Sequence, residues 1–449
     1  MNKHITLLFG IVFCLHGLVF AQTSQLELVL SHYNGSVKLS ANYGEDFIFI
    51  DSIVQGTYTT PSKEYSRYVF NYMFGDGMYS LQFDTGERLE FFVDTKAKNF
   101  PRSLKIAANK EDIFGTTIFN ETTNQALVDY QRQLQNAPKG QRDVRRMLTD
   151  NLLHNYAGTF VATYVQASQP IPYDPPTQLK QLPKDQQTQA IQEHYVQYMK
   201  IHFFDNYPWT DTRLLYTPLL EYKLNSYFRG MLSPEPDSLR PQMDYVLGLA
   251  KANPQTYNYV RNYLYHILRM SNIMGHDLLA VYIAETYFSP ADTAWTGEAF
   301  MASMNEFVRR EKMNAVGTIA ADLQLQTADN TTISLHSVKS PLTLLYFFDP
   351  LCHTCAEITP KVVQLEQQYR NHGLKVYAVC CEHNREAWLE YTTSHCPNFI
   401  NVFDQNNTSQ HDQRYHLFAY PQIYLIDKDK RVLLKDAPFE AVEQYLKQR

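Results

Sequence analysis

The fold of this chain is decided near its far end by an apolar run, Leu342-Thr343-Leu344-Leu345-Tyr346-Phe347-Phe348, and by the stretch that follows it, Cys352-His353-Thr354-Cys355. A short apolar run of this kind predicts a buried β-strand. Apolar residues then recur at helical spacing at Ile358, Val362 and Leu365. The pattern therefore predicts a strand-to-helix junction with two cysteines at the start of the helix.

This junction is the arrangement that thiol–disulfide exchange requires. Cys352 precedes the helix body and should be exposed among unpaired backbone N–H groups, where the helix N-terminus favours a thiolate. Cys355 lies one helical turn further on and should be shielded. We therefore predict that Cys352 is the attacking nucleophile and Cys355 the resolving thiol. A protonated His353 would stabilise the thiolate further and make the disulfide more oxidising.

Further strands and a last helix surround this junction in the sequence. A second buried strand is predicted at Leu374–Val379, and a third at Ile423–Ile426, directly after Tyr420-Pro421. Asp427–Lys430 reads as a hairpin turn, and a C-terminal helix is predicted at about Phe439 to Gln448. Strands and helices in this order predict an α/β domain.

On these residues, the segment from Val316 to Arg449 resembles thioredoxin-like domains of the TlpA/ResA type. The resemblance implies a thioredoxin-like fold in which Pro421 is cis and packs against the cysteine pair. It also implies that the backbone of Tyr420 pairs with an extended substrate peptide. The order of segments along the whole chain resembles multidomain envelope proteins of Bacteroidetes-type bacteria, whose β and helical domains have no known function.

The sequence departs from that family at two positions beside the motif. Leu351 stands where many members have a tryptophan directly before the first cysteine. Tyr346 stands where many members have a buried carboxylate. Without that carboxylate, the sequence does not identify a proton acceptor for Cys355.

The chain divides into three predicted domains after a leader. Residues 22–108 alternate apolar and polar side chains between turn signals such as Asn34-Gly35 and Thr85-Gly86, which predicts an all-β sandwich. Residues 109–313 change to helical spacing, as from Val144 to Tyr164, and predict an all-α domain. Residues 314–449 form the predicted thioredoxin-like domain.

The first 21 residues read as a signal peptide. Lys3 and His4 precede an apolar stretch, Ile5 to Val19, and Val19-Phe20-Ala21 fits the rule for a cleavage site. We predict cleavage near Ala21 and a periplasmic or cell-envelope location. Lipidation at Cys14 and an uncleaved anchor are the alternatives.

Five cysteines remain after cleavage, and all of them lie in the thioredoxin-like domain. Cys380, Cys381 and Cys396 have three interpretations: ordinary buried thiols, an auxiliary redox pair, or ligands of a soft metal. Because only one of two adjacent strand residues faces a given side, Cys380 and Cys381 cannot both point at the first pair. We predict no cofactor and no metal at the Cys352–Cys355 pair.

The sequence thus predicts an exported thiol–disulfide oxidoreductase of the cell envelope. Its substrates would be cysteine-containing proteins or small thiols, a membrane partner would renew the pair, and the other domains would serve docking or homodimer formation. The net charge of −6 indicates no basic surface for nucleic acid. The alternative is a binding or scaffold protein whose thioredoxin fold is redox-inactive.

Overall fold

The computed structural model describes residues 24–59, 63–97, 99–138, 142–273, 275–404, 408–417 and 419–448. The predicted signal peptide, Cys14 and its cleavage site lie outside the described residues. The chain forms two compact units, one ending at Leu264 and the other beginning at Tyr265. The domain boundaries at residues 108 and 313 stay predictions.

In its described residues, the first unit begins with nine strands in two sheets. The strands are β1 (Gln25–Ser31), β2 (Val37–Tyr43), β3 (Asp46–Ile53), β4 (Thr57–Tyr58), β5 (Tyr65–Asn71), β6 (Gly77–Phe83), β7 (Arg88–Val93), β8 (Ser103–Asn109) and β9 (Ile118–Phe119). One sheet has the order β4-β5-β1-β8-β9 and the other the order β3-β2-β6-β7. Leu28 from the first sheet and Leu39 and Leu81 from the second share one buried cluster. The predicted β-sandwich is confirmed.

A helical region follows the sandwich. Its α-helices are α1 (Ile113–Thr116), α2 (Thr122–Asn136), α3 (Arg142–Asn155), α4 (Phe160–Ser168), α5 (Thr177–Lys180), α6 (Lys184–His202), α7 (Leu219–Asn225), α8 (Pro236–Ala250) and α9 (Pro254–Arg269). A π-helix spans Ser226–Met231, and 3-10 turns span Lys110–Asp112 and Thr212–Tyr216. The periodic run from Val144 to Tyr164 is divided between α3 and α4, because the intervening Gly158 has a φ of 80°. That left-handed conformation ends the helical backbone.

Asn124 ties α2 to the edge of the sandwich. Its side-chain oxygen accepts the backbone N–H of Phe92 at 2.7 Å, and its amide nitrogen donates to the carbonyl of Phe92 at 2.8 Å. β7 is the last strand of its sheet, so these backbone groups have no strand neighbour on that side. Glu121 caps the same helix by accepting the N–H groups of Thr123 and Asn124. The buried side chain of Asn124 therefore pairs with the backbone N–H and carbonyl of Phe92 at the strand edge, and it holds the first turn of α2 against β7.

The second unit contains three further helices and an α/β domain. The helices that precede the domain are α10 (His276–Tyr287), α11 (Thr293–Thr296) and α12 (Glu298–Lys312). The domain consists of β10 (Gln324–Gln326), β11 (Thr332–Ser334), β12 (Leu342–Phe348), α13 (His353–Tyr369), β13 (Leu374–Cys380), α14 (Arg385–His395), β14 (Ile400–Phe403), α15 (His411–Arg414), β15 (Gln422–Asp427), β16 (Val432–Leu434) and α16 (Phe439–Lys447). In the described part of the chain, no helix is both long and apolar enough to cross a membrane.

The sheet of the second unit has the order β11-β10-β14-β13-β12-β15-β16. β12 runs parallel to β13 and antiparallel to β15. The side chains of Leu344, Tyr346 and Phe348 enter one buried cluster, and those of Leu345 and Phe347 enter another. A strand covered on both faces is apolar at most positions, which explains the nearly continuous apolar run in the sequence. The buried hydroxyl of Thr343 lies 2.7 Å from that of Ser340. The predicted α/β fold is confirmed.

α12 packs with the α/β domain inside the second unit. Glu311 accepts a hydrogen bond from Lys435 Nζ at 2.8 Å, and both side chains are mostly buried. The side chain of Asn314 donates to the carbonyl of Arg414 at 2.9 Å. These contacts explain why the second compact unit begins well before residue 313.

Replacing Asn124 tests the link between α2 and β7. Asn124→Ala removes the side-chain oxygen and nitrogen that bond the Phe92 N–H and carbonyl. Because both backbone groups then stay buried without a hydrogen bond, we expect a loss of about 3 kcal/mol in the free energy of unfolding. Urea unfolding followed by circular dichroism measures this loss. Gln133→Ala, at an exposed position of the same helix, is the matched control and should change stability by less than about 0.5 kcal/mol. Equal stability of the two variants would contradict the proposed link.

Candidate active site

A turn between β12 and α13 positions the two cysteines. Cys352 is the N-cap residue of α13, with φ −79° and ψ 124°. The carboxylate of Asp349 accepts the N–H of Leu351 at 2.7 Å, and the carbonyl of Asp349 accepts the N–H of Cys352 at 3.1 Å. A side-chain oxygen that accepts an N–H two residues later is a local turn motif of aspartate. The sequence predicted no role for Asp349, although this residue lies only three positions before Cys352.

The two cysteines of the motif have different surroundings. Cys352 is partly exposed, whereas the side chain of Cys355 is fully buried. The backbone N–H of Asp349 donates to Cys355 Sγ at 3.5 Å. Burial, with smaller contributions from Cys352 and the charge of Asp349, raises the pKa of Cys355 to about 12, and the hydrogen bond from the Asp349 N–H opposes this rise. This placement agrees with an attacking and a shielded thiol, and the two roles stay predictions.

Tyr420 and Pro421 lie against the exposed thiol. The peptide bond between them is cis, as the resemblance implied. The Cys352 thiol donates to the carbonyl oxygen of Tyr420 at 3.4 Å. Burial, together with the nearby Cys381, raises the pKa of Tyr420. Tyr420 therefore contacts the Cys352 thiol through its backbone, and its ring hydroxyl lies in the neighbourhood of Cys381.

Three hydrogen-bonded hydroxyl groups lie buried close to the backbone of Cys355. Tyr346 and Tyr391 each place their hydroxyl 2.9 Å from Thr359 Oγ1. The Tyr391 hydroxyl also lies 3.5 Å from the carbonyl oxygen of Cys355. Burial raises the pKa values of both tyrosines, so the hydroxyls are neutral at physiological pH and are poor acceptors for a thiol proton. The roles of Thr359 and Tyr391 were missed because only the tertiary structure brings them to Tyr346.

His353 points away from the buried side of the motif. Its side chain is 88% exposed, and its Nδ1 lies 3.6 Å from a carboxylate oxygen of Glu357. Glu357 is one helical turn further along α13. The influence of His353 on the Cys352 thiolate stays a prediction.

The other three cysteines lie on both sides of the sheet. Cys380 and Cys396 share a buried cluster with Cys355, whereas Cys381 packs against the cluster on the opposite face. This is the alternation expected for adjacent strand residues. The thiols of Cys380, Cys381 and Cys396 donate to oxygens of Glu382, Val379 and Asn401, respectively, at 3.6–3.7 Å.

Burial keeps the thiols of Cys380, Cys381 and Cys396 protonated near neutral pH, and their three interpretations stay predictions. Burial raises the pKa of Cys380 and of Cys396 to about 12, and it also raises the pKa of Cys381. A buried thiol that stays protonated is a poor nucleophile and a poor metal ligand. Among the described residues, no group of three or more histidine, cysteine, aspartate or glutamate side chains is arranged to hold a metal ion.

Alkylation of the folded, reduced chain tests this ranking of thiols. Iodoacetamide should modify Cys352 first because it is partly exposed, while Cys380 and Cys396 should react fully only after unfolding in urea. A thiol with a pKa of about 12 gains thiolate about tenfold per pH unit above neutrality, so slow labelling of Cys380 should accelerate as the pH rises. Peptide mass spectrometry identifies each modified residue. In the Cys352→Ser control the fast event should disappear, and equally fast labelling of Cys380 in the native chain would refute the ranking.

Several known proteins are similar to this chain in sequence or in structure. The AhpC/TSA family model matches residues 316–434, and no curated protein matches the chain. A thioredoxin-like protein from Bacteroides caccae is 21% identical, with 63% of this chain and 99% of that chain covered and a TM-score of 0.46. A domain of a "possible thiol-disulfide isomerase" from Cytophaga hutchinsonii is 30% identical, with 30% and 91% covered and a TM-score of 0.28. A thioredoxin domain of a thiol-disulfide oxidoreductase from Bacteroides vulgatus is 18% identical, with 30% and 96% covered and a TM-score of 0.28. The C-terminal part of this chain is therefore a thioredoxin-like domain that matches the AhpC/TSA family.

Proposed function

We propose that the chain is an exported thiol–disulfide oxidoreductase of the cell envelope that acts on cysteines of proteins or small thiols. The contrast between two thiols at one helix start carries this proposal. Cys352 is partly exposed and faces the carbonyl of Tyr420, whereas Cys355 is buried one turn further along α13. An accessible sulfur can meet a substrate, and a shielded neighbour can release it.

The reaction proceeds in two exchanges at sulfur. The Cys352 thiolate attacks a substrate disulfide, a bond forms between Cys352 Sγ and one substrate sulfur, and the other substrate sulfur leaves as a thiolate. Cys355 then attacks Cys352 Sγ, which forms the Cys352–Cys355 disulfide and releases the second substrate sulfur. Two electrons pass from the cysteine pair to the substrate. The same steps in reverse oxidise a substrate dithiol.

The substrate would lie along the loop that contains Tyr420 and Pro421. The carbonyl of Tyr420 is an acceptor beside the reacting sulfur, which suits an extended peptide that pairs through its backbone. Leu351 adjoins Cys352 with 76% of its surface exposed and offers an apolar contact. The Tyr420 ring is half-buried beside the cysteine pair, and its bulk would narrow the range of accepted side chains.

The proposal also includes a cellular location and a redox partner for the chain. The leader over residues 1–21 would direct the chain to the periplasm, where disulfides form. A membrane redox partner would return the cysteine pair to its working state after each cycle. The sandwich and the helical region would dock substrates or partners.

The reduction potential of the Cys352–Cys355 couple tests the proposed reaction. Equilibration of the mature chain in graded thiol buffers should give a reversible two-electron transition. A midpoint potential of about −270 mV would indicate a reductase, and one of about −120 mV would indicate an oxidant. Cys352→Ser should remove the transition.

Changing Cys380, Cys381 and Cys396 to serine in a parallel sample provides the matched control. If these are ordinary thiols, the midpoint potential should not change. A changed midpoint potential would indicate that they take part in the redox reaction. The scaffold alternative predicts no reversible transition in the unchanged chain, and that result would overturn the enzymatic proposal.

The proposed address is tested by the N-terminus of the exported chain. Expression in a Gram-negative host should yield envelope material that begins at Gln22, as read by intact-mass and peptide mass spectrometry. A chain without residues 2–21 is the control and should remain in the cytoplasm. A lipid-modified Cys14 at the N-terminus, or an uncleaved leader, would favour one of the alternatives.

A further inference from the structure

The hydroxyl network of Tyr346, Thr359 and Tyr391 joins three elements of the fold. Tyr346 lies on β12, Thr359 on α13 and Tyr391 on α14. Thr359 Oγ1 is 2.9 Å from the hydroxyl oxygen of each tyrosine, and all three side chains are buried. A buried network whose members bond to one another has few alternative arrangements. It therefore holds the sheet and the two helices in one relation at the level of Thr359.

This network reaches the first turn of α13 at a point where the backbone hydrogen bonds of the helix are interrupted. Thr359 lies one helical turn after Cys355, and the Tyr391 hydroxyl lies 3.5 Å from the carbonyl oxygen of Cys355. Pro360 follows Thr359 inside the helix. Because proline has no backbone N–H, the carbonyl of Ala356 receives no hydrogen bond from position 360. Side-chain contacts from outside the helix therefore supplement the backbone around Cys355.

The ring of Tyr391 is held by two other rings that do not belong to α13. It stacks with Phe348 at the end of β12, with ring centroids 5.5 Å apart, and with His395 one turn further along α14, at 4.5 Å. Phe348 also stacks with Tyr346 at 5.6 Å. Packed rings have little freedom to turn, so the sheet and α14 set the position of the Tyr391 hydroxyl. That hydroxyl can therefore restrain Cys355 from outside its own helix.

We propose that the Tyr391 hydroxyl, acting through Thr359, is a positioning group that holds Cys355 in the geometry of the Cys352–Cys355 disulfide, an inference that rests on the proposed oxidoreductase function. In the resolving exchange, Cys355 Sγ forms a bond with Cys352 Sγ, and the bond between Cys352 and the substrate sulfur breaks. The electron pair leaves with the substrate sulfur, and the Cys355 proton passes to the buffer.

The network acts on this exchange by limiting the motion of the reduced helix start. Both cysteines are free thiols in the structure, and the hydroxyls already hold the turn that contains Cys355. Without the Tyr391 hydroxyl, the reduced turn would gain conformational freedom that closure of the disulfide must remove again. The hydroxyl therefore raises the effective concentration of Cys355 towards Cys352, which favours the disulfide and speeds its formation.

Tyr391→Phe tests the inference at equilibrium, because it removes the hydroxyl and keeps the stacked ring. We expect the effective concentration of Cys355 to fall about tenfold, which raises the midpoint potential of the couple by about 30 mV. Equilibration of the full-length mature chain in graded thiol buffers measures this shift. Tyr369→Phe, which removes a hydroxyl from the last turn of the same helix, is the matched control and should leave the midpoint potential unchanged.

A chromogenic aromatic disulfide, dithiobis-nitrobenzoate, measures the same effect as a rate in the reduced chain. Attack by Cys352 releases the first coloured thiolate, and attack by Cys355 on the mixed disulfide releases the second. Stopped-flow absorbance resolves the two phases, and Cys355→Ser identifies the second one by its loss. Tyr391→Phe should slow the second phase about tenfold and leave the first unchanged, since the carbonyl of Tyr420 and the turn before the helix position Cys352.

Thr359→Val removes the oxygen that both tyrosines share, and it tests whether Tyr391 acts through Thr359. If it does, the double variant that combines Thr359→Val with Tyr391→Phe should shift the midpoint potential little further than Thr359→Val alone. Tyr346→Phe leaves the bond between Tyr391 and Thr359 in place and should have a smaller effect than Tyr391→Phe. Shifts that add in full in the double variant would show independent contacts and would overturn the inference.

The outcomes separate the inference from the proposed function. A midpoint potential that stays unchanged or falls in Tyr391→Phe overturns the inference and leaves the oxidoreductase in place. This holds even if urea unfolding shows the variant to be less stable, because a hydroxyl with a purely structural role would stabilise the dithiol and disulfide forms equally. If the unchanged chain shows neither a first phase nor a reversible transition, the proposed function itself fails.

Discussion

β12 places its side chains alternately into two apolar clusters, one under α13 and one on the opposite face of the sheet. A polar group on this strand therefore needs a partner inside the protein, as Thr343 has in Ser340 and the Tyr346 hydroxyl has in Thr359. At the carboxyl end of the strand the chain becomes accessible to solvent only after Phe348. There the chain turns at Asp349 and enters α13, so both cysteines of the motif lie at the edge of the sheet. The position of the site follows from the burial of the strand that leads to it.

The same loss of solvent divides the five thiols into three buried ones and two that are partly exposed, Cys352 and Cys381. Cys352 also contacts the carbonyl of Tyr420, while Cys355, Cys380 and Cys396 are buried in one cluster and Cys381 packs against the opposite one. Burial raises the pKa of Cys355, Cys380, Cys381 and Cys396, because an ionised sulfur loses its hydration there. Burial thus gives chemically identical thiols different tendencies to ionise. It also creates the need for a proton acceptor at Cys355, since a sulfur protected from solvent must still ionise to resolve a mixed disulfide.

Much of the fold could be predicted because its signals are local. The run at β12, the helical spacing that begins after Cys352 and the proline before β15 each lie within a few residues, and each matches the structure. The periodic run from Val144 to Tyr164 was less informative, because spacing alone does not reveal that Gly158 ends one helix before the next begins. The extent of the second compact unit also could not be read from the sequence. It depends on contacts such as Glu311 with Lys435, whose partners are more than a hundred residues apart.

The sequence by itself determined the thioredoxin-like architecture of the C-terminal domain and the pair of cysteines on which the proposed reaction depends. Periodicity and motif spacing are properties of neighbouring residues, so they are readable without coordinates. Only the tertiary structure decided what surrounds the buried sulfur. Tyr346 from the sheet and Tyr391 from α14 both bond to Thr359 on α13, and the backbone N–H of Asp349 donates to Cys355 Sγ through a turn at the helix start. Burial and hydrogen bonding between distant segments set the ionisation of a thiol, and neither quantity exists until the chain has folded.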